Sequence, residues 1–153
     1  MTDAWVRPYA PGRGRWLVLG WELFGLALVD WTTVRLFDLD ARTTAVLTAA
    51  LAVLWAAGAV RILRMGLYVS GSGVRIRGLF ASRTLRWTEI DEFVFDEARR
   101  LGLTVLIRHR DGRYVNTSLW AQGIDFHARP RAFREVYGLL RERHSAALGR
   151  VAG

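Results

Sequence analysis

The residues able to do chemistry in this 153-residue chain are few, and their spacing argues against catalysis. Cysteine is absent, which removes thiolate nucleophiles, disulfides and Cys-based zinc sites together. His109, His127 and His144 lie far apart, with no partners at metal-ligand spacing. His109 sits between Arg108 and Arg110 on an expected hairpin, where solvent exposure is the default. Glu89, Asp91, Glu92, Asp96 and Glu97 form an acidic cluster, read as a solvated strand face and turn rather than a metal site. Gly71 and Gly73 resemble the start of a phosphate loop, but no helix is expected after them and no Lys exists for a Walker motif. Asn116-Thr117-Ser118 spells a glycosylation acceptor, which a cytoplasmic domain would not present for modification. The expectation is no catalytic residue, no metal site, no cofactor and no enzyme activity.

The arginines are the more informative group. Every Lys+Arg position, 22 in all, is Arg, a bias that a GC-rich genome explains. Residues 1–66 carry seven Arg against five acids, and residues 67–153 carry fifteen against nine, so the positive excess lies mainly in the second part. Arg75, Arg77, Arg83, Arg86, Arg108 and Arg110 could form one basic stripe across neighbouring strands. A solvated face is the plainest reading. Contact with a partner or with an anionic inner leaflet is the functional one, each nearby Arg gaining about 1 kcal/mol at such a surface. Aromatic side chains that would stack bases are not interleaved with them, so no nucleic acid is expected as partner.

These groups must be positioned by two very different stretches of chain. Thr43–Val60 is free of charge and proline, with Arg42 before it and Arg61 and Arg64 after it. Extended to Leu63, it reaches the ~20 residues of a spanning helix. Ala45, Ala49, Ala52 and Ala56 recur along it at helical spacing, a face suited to a close neighbour in lipid. The stretch Trp16–Val34 is less uniform, because it holds Glu22 and Asp30. An acid at a bilayer centre costs roughly 2.5–3.5 kcal/mol, and less near an end. Glu22 and Asp30 are placed near opposite ends, with Glu22 expected at the depth of Arg61 and paired with it. These three are the intramembrane polar residues. Trp16, Trp21 and Trp31 would be interfacial anchors.

A secretory signal peptide is rejected, since Glu22 interrupts the apolar region and no small-residue cleavage site follows Val29. Arg7, Arg13 and Arg15 precede the first helix, and Arg61, Arg64, Arg75 and Arg77 follow the second; the connector 35–42 holds Arg35 and Arg42. By the positive-inside rule the chain crosses the cell membrane twice with both termini cytoplasmic. The domain reading is a cytoplasmic segment 1–15, a transmembrane hairpin 16–63 (helices about 16–34 and 43–63) and a β domain 64–148.

From Gly66 the pattern alternates. Leu67 and Val69 lead to the turn Ser70-Gly71-Ser72-Gly73, and Val74-Arg75-Ile76-Arg77 follows with Val74 and Ile76 inward. Thr84–Trp87 and Ile90–Phe95 read as further strands, with Phe93 and Phe95 on one face. Leu103–Arg110 reads as the longest strand, and Asp111-Gly112 as a two-residue hairpin into Tyr114–Leu119. The implied fold is α+β: an antiparallel sheet or partial barrel closed by a helix over about 130–148. Pro130 suits the first turn, Phe133, Val136, Tyr137 and Leu140 share one face, and Gly149 is placed to stop it.

The run from Gly73 to Ile90, with Val74-Arg75-Ile76-Arg77 and Trp87-Thr88-Glu89-Ile90, resembles bacterial pleckstrin-homology-like domains. More narrowly it is similar to the actinobacterial group named after low molecular weight protein antigen 6, whose members commonly place two transmembrane helices ahead of such a domain. The Arg-Asp-Gly hairpin of Leu106–Leu119 resembles the later part of that domain. Lipid-binding members of the wider class carry a basic loop between their first two strands. Here that loop is Ser70–Gly73, short and uncharged, so a phosphoinositide function is not implied. Trp87 and Ile90 are read from their own chemistry as core-sealing residues.

The preferred function is a non-catalytic, membrane-anchored interaction module binding a protein partner or the inner leaflet. An accessory subunit of a transport or cell-envelope complex, with Glu22 and Asp30 in its pathway, is the alternative; a soluble nucleic-acid binder is the weaker one. The expected partners are the lipid bilayer and a protein of unknown identity, and a homo-oligomer is left open.

Overall fold

The computed structural model describes residues 4–96, 103–127 and 129–151. The chain divides into two compact units, Arg13–Arg64 and the combination of Met1–Gly12 with Met65–Gly153. Arg99, Arg100 and Glu97 of the acidic cluster lie outside the described residues.

The first unit is a helical hairpin of α1 (Gly14–Phe37) and α2 (Ala41–Arg64), each of 24 residues. At 1.5 Å per residue each is about 36 Å long, enough for a hydrocarbon core of about 30 Å. Both run past the expected ends, because apolar residues such as Leu36 and Phe37 continue the helix until a real stop arrives. That stop is Asp38, which takes the left-handed conformation at φ 46°, one that Asp tolerates better than most residues. Asp40 then caps α2: its Oδ1 accepts from the backbone N–H of Arg42 (2.9 Å) and Thr43 (3.1 Å).

Packing in the hairpin is antiparallel with a definite register. Arg15 donates to the carbonyls of Ile62 and Leu63, and Thr48 donates to Asp30. That register brings Glu22 level with Ala56, roughly 7 Å along the helix from Arg61. The expected Glu22–Arg61 pair is therefore not formed; both side chains are exposed, and among the described residues no ion pair joins them. With α1 starting at Gly14, Glu22 also lies closer to the helix middle than to its end. The alanine stripe differs from expectation too. Ala45, Ala49, Ala52 and Ala56 are exposed, while the half-buried Leu47, Leu51 and Trp55 occupy the side of Thr48 that meets α1. Larger side chains are the ones half-buried, and the alanines are left exposed.

The second unit is α+β. Strands β1 (Gly66–Val69), β2 (Gly73–Arg77) and β3 (Ser82–Arg86) form one antiparallel sheet, and β4 (Ile90–Asp96), β5 (Thr104–His109) and β6 (Tyr114–Trp120) form another. The run Thr84–Trp87 splits: the strand ends at Arg86, and Trp87–Glu89 is a 3-10 turn. Glu89 fixes that turn by accepting the Arg86 backbone N–H (2.8 Å). β5 has six residues and is shorter than β4 and β6. Its hairpin loop has three residues, Arg110–Gly112, closed by the bond from His109 N to Arg113 O (2.8 Å). Gly112 takes φ 84°, the left-handed position that closes three-residue hairpin loops.

Helix α3 (Pro130–Val151) begins at Pro130 as expected. It runs through Gly149, because one exposed glycine costs a helix only about 1 kcal/mol and no proline follows. Phe133, Val136 and Leu140 point into the core with Trp87, Ile90 and Phe93, so the helix covers the sheets as read. Phe93 and Phe95 do share a face: Phe93 meets His144, while Phe95, further out, lies 3.9 Å from the ring of Tyr137.

Residues 4–12 pack into this same unit. Val6 and Val69 exchange backbone hydrogen bonds of 3.0 and 2.8 Å. Tyr9 is buried against Phe126 and accepts the Leu67 N–H through its hydroxyl (3.2 Å). Gly12 donates to Asp125 Oδ1, and a Cβ there would lie 2.3 Å from the Ile124 carbonyl, which requires glycine.

Candidate functional site

The arginines of the expected stripe are distributed by strand alternation. On β2, Val74 and Ile76 are buried, so Arg75 and Arg77 point outward. Arg75 pairs in register with Thr84 and Gly73 with Arg86, placing Arg86 on the same outer face. Arg83 follows the other parity, with Leu85, and emerges at the end of its strand. Arg108 and Arg110 belong to the second sheet and its hairpin loop. The six residues thus divide between two sheets and do not make one continuous stripe.

Their engagement also differs. Arg75 lies 4.3 Å over the Trp5 ring and donates to Thr84 Oγ1 (3.2 Å). Arg77 stacks on Tyr68 at 4.9 Å, and Arg7 approaches the same ring at 5.1 Å. Arg7 also donates to the Met65 carbonyl (2.6 Å) and the Tyr68 hydroxyl (2.8 Å). Such cation–π contacts are worth about 0.5–1 kcal/mol at exposed sites. The involvement of Trp5 and Arg7 escaped the sequence reading, because a short segment broken by Pro8 and Pro11 shows no periodicity. Arg83, Arg86 and Arg110 remain exposed.

The acidic cluster has a local partner. Arg108 bridges Asp91 (2.7 Å) and Glu92 (2.9 Å), and the Asp91 carboxylate holds its guanidinium pKa above the ordinary value. At the loop, Asp111 is held well below the usual carboxylate range, chiefly by its hydrogen bond from Arg113 (2.6 Å). His109 is not simply in solvent: its Nδ1 lies 3.0 Å from Asp111 Oδ1. His144 is buried at 8% exposure between Trp87 and Phe93, with Nε2 3.1 Å from the Ile90 carbonyl. This histidine was missed, since a single His on an amphipathic helix carries no signal of burial. Among the described residues no group of three His, Cys, Asp or Glu could hold a metal.

In the helical unit the ionisable groups do local work. Arg15 is 1% exposed and satisfies carbonyls in the last turn of α2, where a cation also suits the helix dipole. Asp30 accepts from Thr48 Oγ1 (2.8 Å). In the connector, the Thr43 hydroxyl holds Asp40 below its ordinary pKa.

The loop that could bind an inositol phosphate is closed on itself. Ser70 and Ser72 hydroxyls are 2.9 Å apart, Ser70 N–H donates to the Gly73 carbonyl, and Trp87 Nε1–H donates to the Ser70 carbonyl (3.1 Å). A Cβ on Gly73 would lie 2.1 Å from the Leu85 carbonyl, so β2 and β3 meet too closely for any side chain.

Comparison with known proteins agrees with this architecture. A family model described as "Bacterial PH domain" matches residues 64–151, from the end of α2 to the end of α3. No curated protein and no solved structure matches the chain. With two antiparallel three-stranded sheets, a covering C-terminal helix and a family match over more than half its length, the chain belongs to the bacterial PH domain family.

Proposed function

We propose that the chain is a non-catalytic interaction module that two transmembrane helices hold at the cytoplasmic face of the cell membrane. The observation that carries this reading is the exposure of both helices. Only 6% of the apolar window of each is buried, although each is long and apolar enough to cross a membrane. Trp16, Leu17, Leu36, Val53 and Leu54 are all more than 60% exposed. Left in water, each fully exposed side chain of this size forgoes about 1.5–3 kcal/mol of burial free energy. A bilayer supplies the missing apolar surroundings.

The topology supports one membrane side for everything else. The segment ahead of α1 pairs with β1 through Val6 and Val69, so the chain leaves and re-enters the same compact unit. Two crossings satisfy that condition. The arginines flanking both outer helix ends favour the cytoplasm for that unit. Membership of the bacterial PH domain family supports reading this unit as one that binds a protein partner or the inner leaflet.

Because the chain has no cysteine, single cysteines report topology cleanly. In intact cells, an impermeant maleimide should label Arg42→Cys in the first turn of α2, next to the connector, and should label Ser145→Cys on α3 only after permeabilisation. Labelling of Ser145→Cys from outside would overturn the orientation. Equal protection of both positions would overturn the two-crossing reading.

A further inference from the structure

The hairpin tips of the β unit are not alike. The β1–β2 tip is Ser70-Gly71-Ser72 and the β5–β6 tip is Arg110-Asp111-Gly112, both ordinary polar turn chemistry. The β2–β3 tip is Leu79-Phe80, closed by Gly78 N–H donating to the Ala81 carbonyl (2.8 Å). Two-residue hairpin turns favour Asn, Asp and Gly, and Leu-Phe contributes nothing to turn formation. Phe80 is 84% exposed, the most exposed large apolar side chain among the described residues. Something other than the fold accounts for it.

Its surroundings say what. Arg77 and Arg83 flank the tip, with Arg75 and Arg86 further along the same hairpin, and no acidic residue occurs between Asp40 and Glu89. An apolar tip in an acid-free collar of arginine complements an anionic bilayer, with ring area for the acyl boundary and guanidinium for headgroup phosphates. The position in the sheet fits as well. Gly66 pairs with Arg77, so the tip projects from the sheet end at which β1 begins. It overreaches that row by roughly 7–10 Å at about 3.3 Å per residue.

We propose that the β2–β3 hairpin is a membrane-insertion tip: Leu79 and Phe80 enter the inner leaflet, and Arg77 and Arg83 bind anionic lipid headgroups. This rests on the reading of the chain as membrane-anchored and names the surface by which its β unit lies on the bilayer. Ser70–Ser72, the usual place to look for lipid contact in this class of fold, plays no part.

The test uses the full chain reconstituted in vesicles of phosphatidylcholine alone or with phosphatidylglycerol. An environment-sensitive fluorophore is placed at Ala81→Cys beside the tip, or at Ser145→Cys as a control. The tip probe should be brighter, blue-shifted and quenched by lipid-borne nitroxide in anionic vesicles, and the control should stay aqueous. Phe80→Ser should return the tip probe to the control's spectrum. Each of Arg77→Gln and Arg83→Gln should lower the inserted-to-free ratio about fivefold. A tip probe indistinguishable from the control in anionic vesicles would overturn the proposal while leaving anchoring intact, provided the chain floats with the vesicles. Insertion of equal extent in neutral vesicles would overturn the headgroup role of the arginines. A chain that fails to float would overturn the anchored reading and this inference together.

Discussion

The helical unit and the β unit spend their apolar residues in opposite ways. In Arg13–Arg64 the large apolar side chains are outside: Leu17, Trp21 and Leu36 are 76–80% exposed, while a buried residue is the cation Arg15. In the other unit Leu67, Val74, Ile90, Val105, Ile107 and Leu140 are fully buried and the arginines are outside. The lesson concerns solvent. A chain organised by water buries its apolar surface, and a chain organised by lipid displays it and must satisfy backbone and polar groups internally. Arg15 on the α2 carbonyls, Asp40 on the α2 amides and Thr48 on Asp30 supply the internal satisfaction that the proposed lipid setting requires.

Equivalent truncations in the two units should therefore act unequally. In detergent micelles, Phe126→Ala should destabilise the β unit by about 3–5 kcal/mol, since Phe126 is 1% exposed and touches Tyr9 and Phe133. Leu54→Ala on the exposed face of α2 should leave the same unfolding transition within about 0.5 kcal/mol. Equal losses would break the comparison. Next in size, Arg15→Ala should weaken the hairpin by about 1.5–3 kcal/mol, the range for hydrogen bonds to a charged group, read as earlier unfolding of helix signal in a denaturing-detergent titration. An unchanged titration would mean that α2 ends without its cap.

A smaller effect, about 1 kcal/mol, is expected from Tyr9→Phe, which removes the acceptor for the Leu67 N–H. It should appear in the melting of the β unit rather than of the helices, because the segment before α1 belongs to that unit. The smallest concerns acid. Asp111 has a depressed pKa in the folded chain, so its contribution is present above the unfolded value near 4 and is lost as pH falls toward the folded one. Asp111→Asn should lower β-unit stability slightly at neutral pH, where the contribution is present, and flatten the acid limb below about pH 4, where the natural chain loses it. A steeper limb would contradict the assigned sign.

Legibility followed periodicity. Val74 and Ile76 alternate with Arg75 and Arg77, and the strand forms as read; Phe133, Val136 and Leu140 share a helical face, and that face is buried. Trp87 and Ile90 seal the core. What escaped the reading depends on contacts between distant residues. A span can be read from composition, but the offset of one helix against another cannot, so Glu22 was set beside Arg61 rather than Ala56. The segment around Tyr9 shows no period because an isolated bridge, one buried ring and scattered hydrogen bonds to distant residues hold it. Phe126 belongs to a run of turns, where burial leaves no pattern. Of the arginines, residue type was legible and the division between two sheets was not, since parity on β3 depends on its pairing with β2.

The most direct test is an alkaline carbonate wash of membranes from cells expressing the full chain, followed by sedimentation. Lipid-solvated helices predict that the protein stays in the pellet and is released only by detergent. Recovery in the supernatant as a compact monomer, with no detergent present, would mean that the exposed faces of α1 and α2 are covered by protein, and the contrast between the two units would fail.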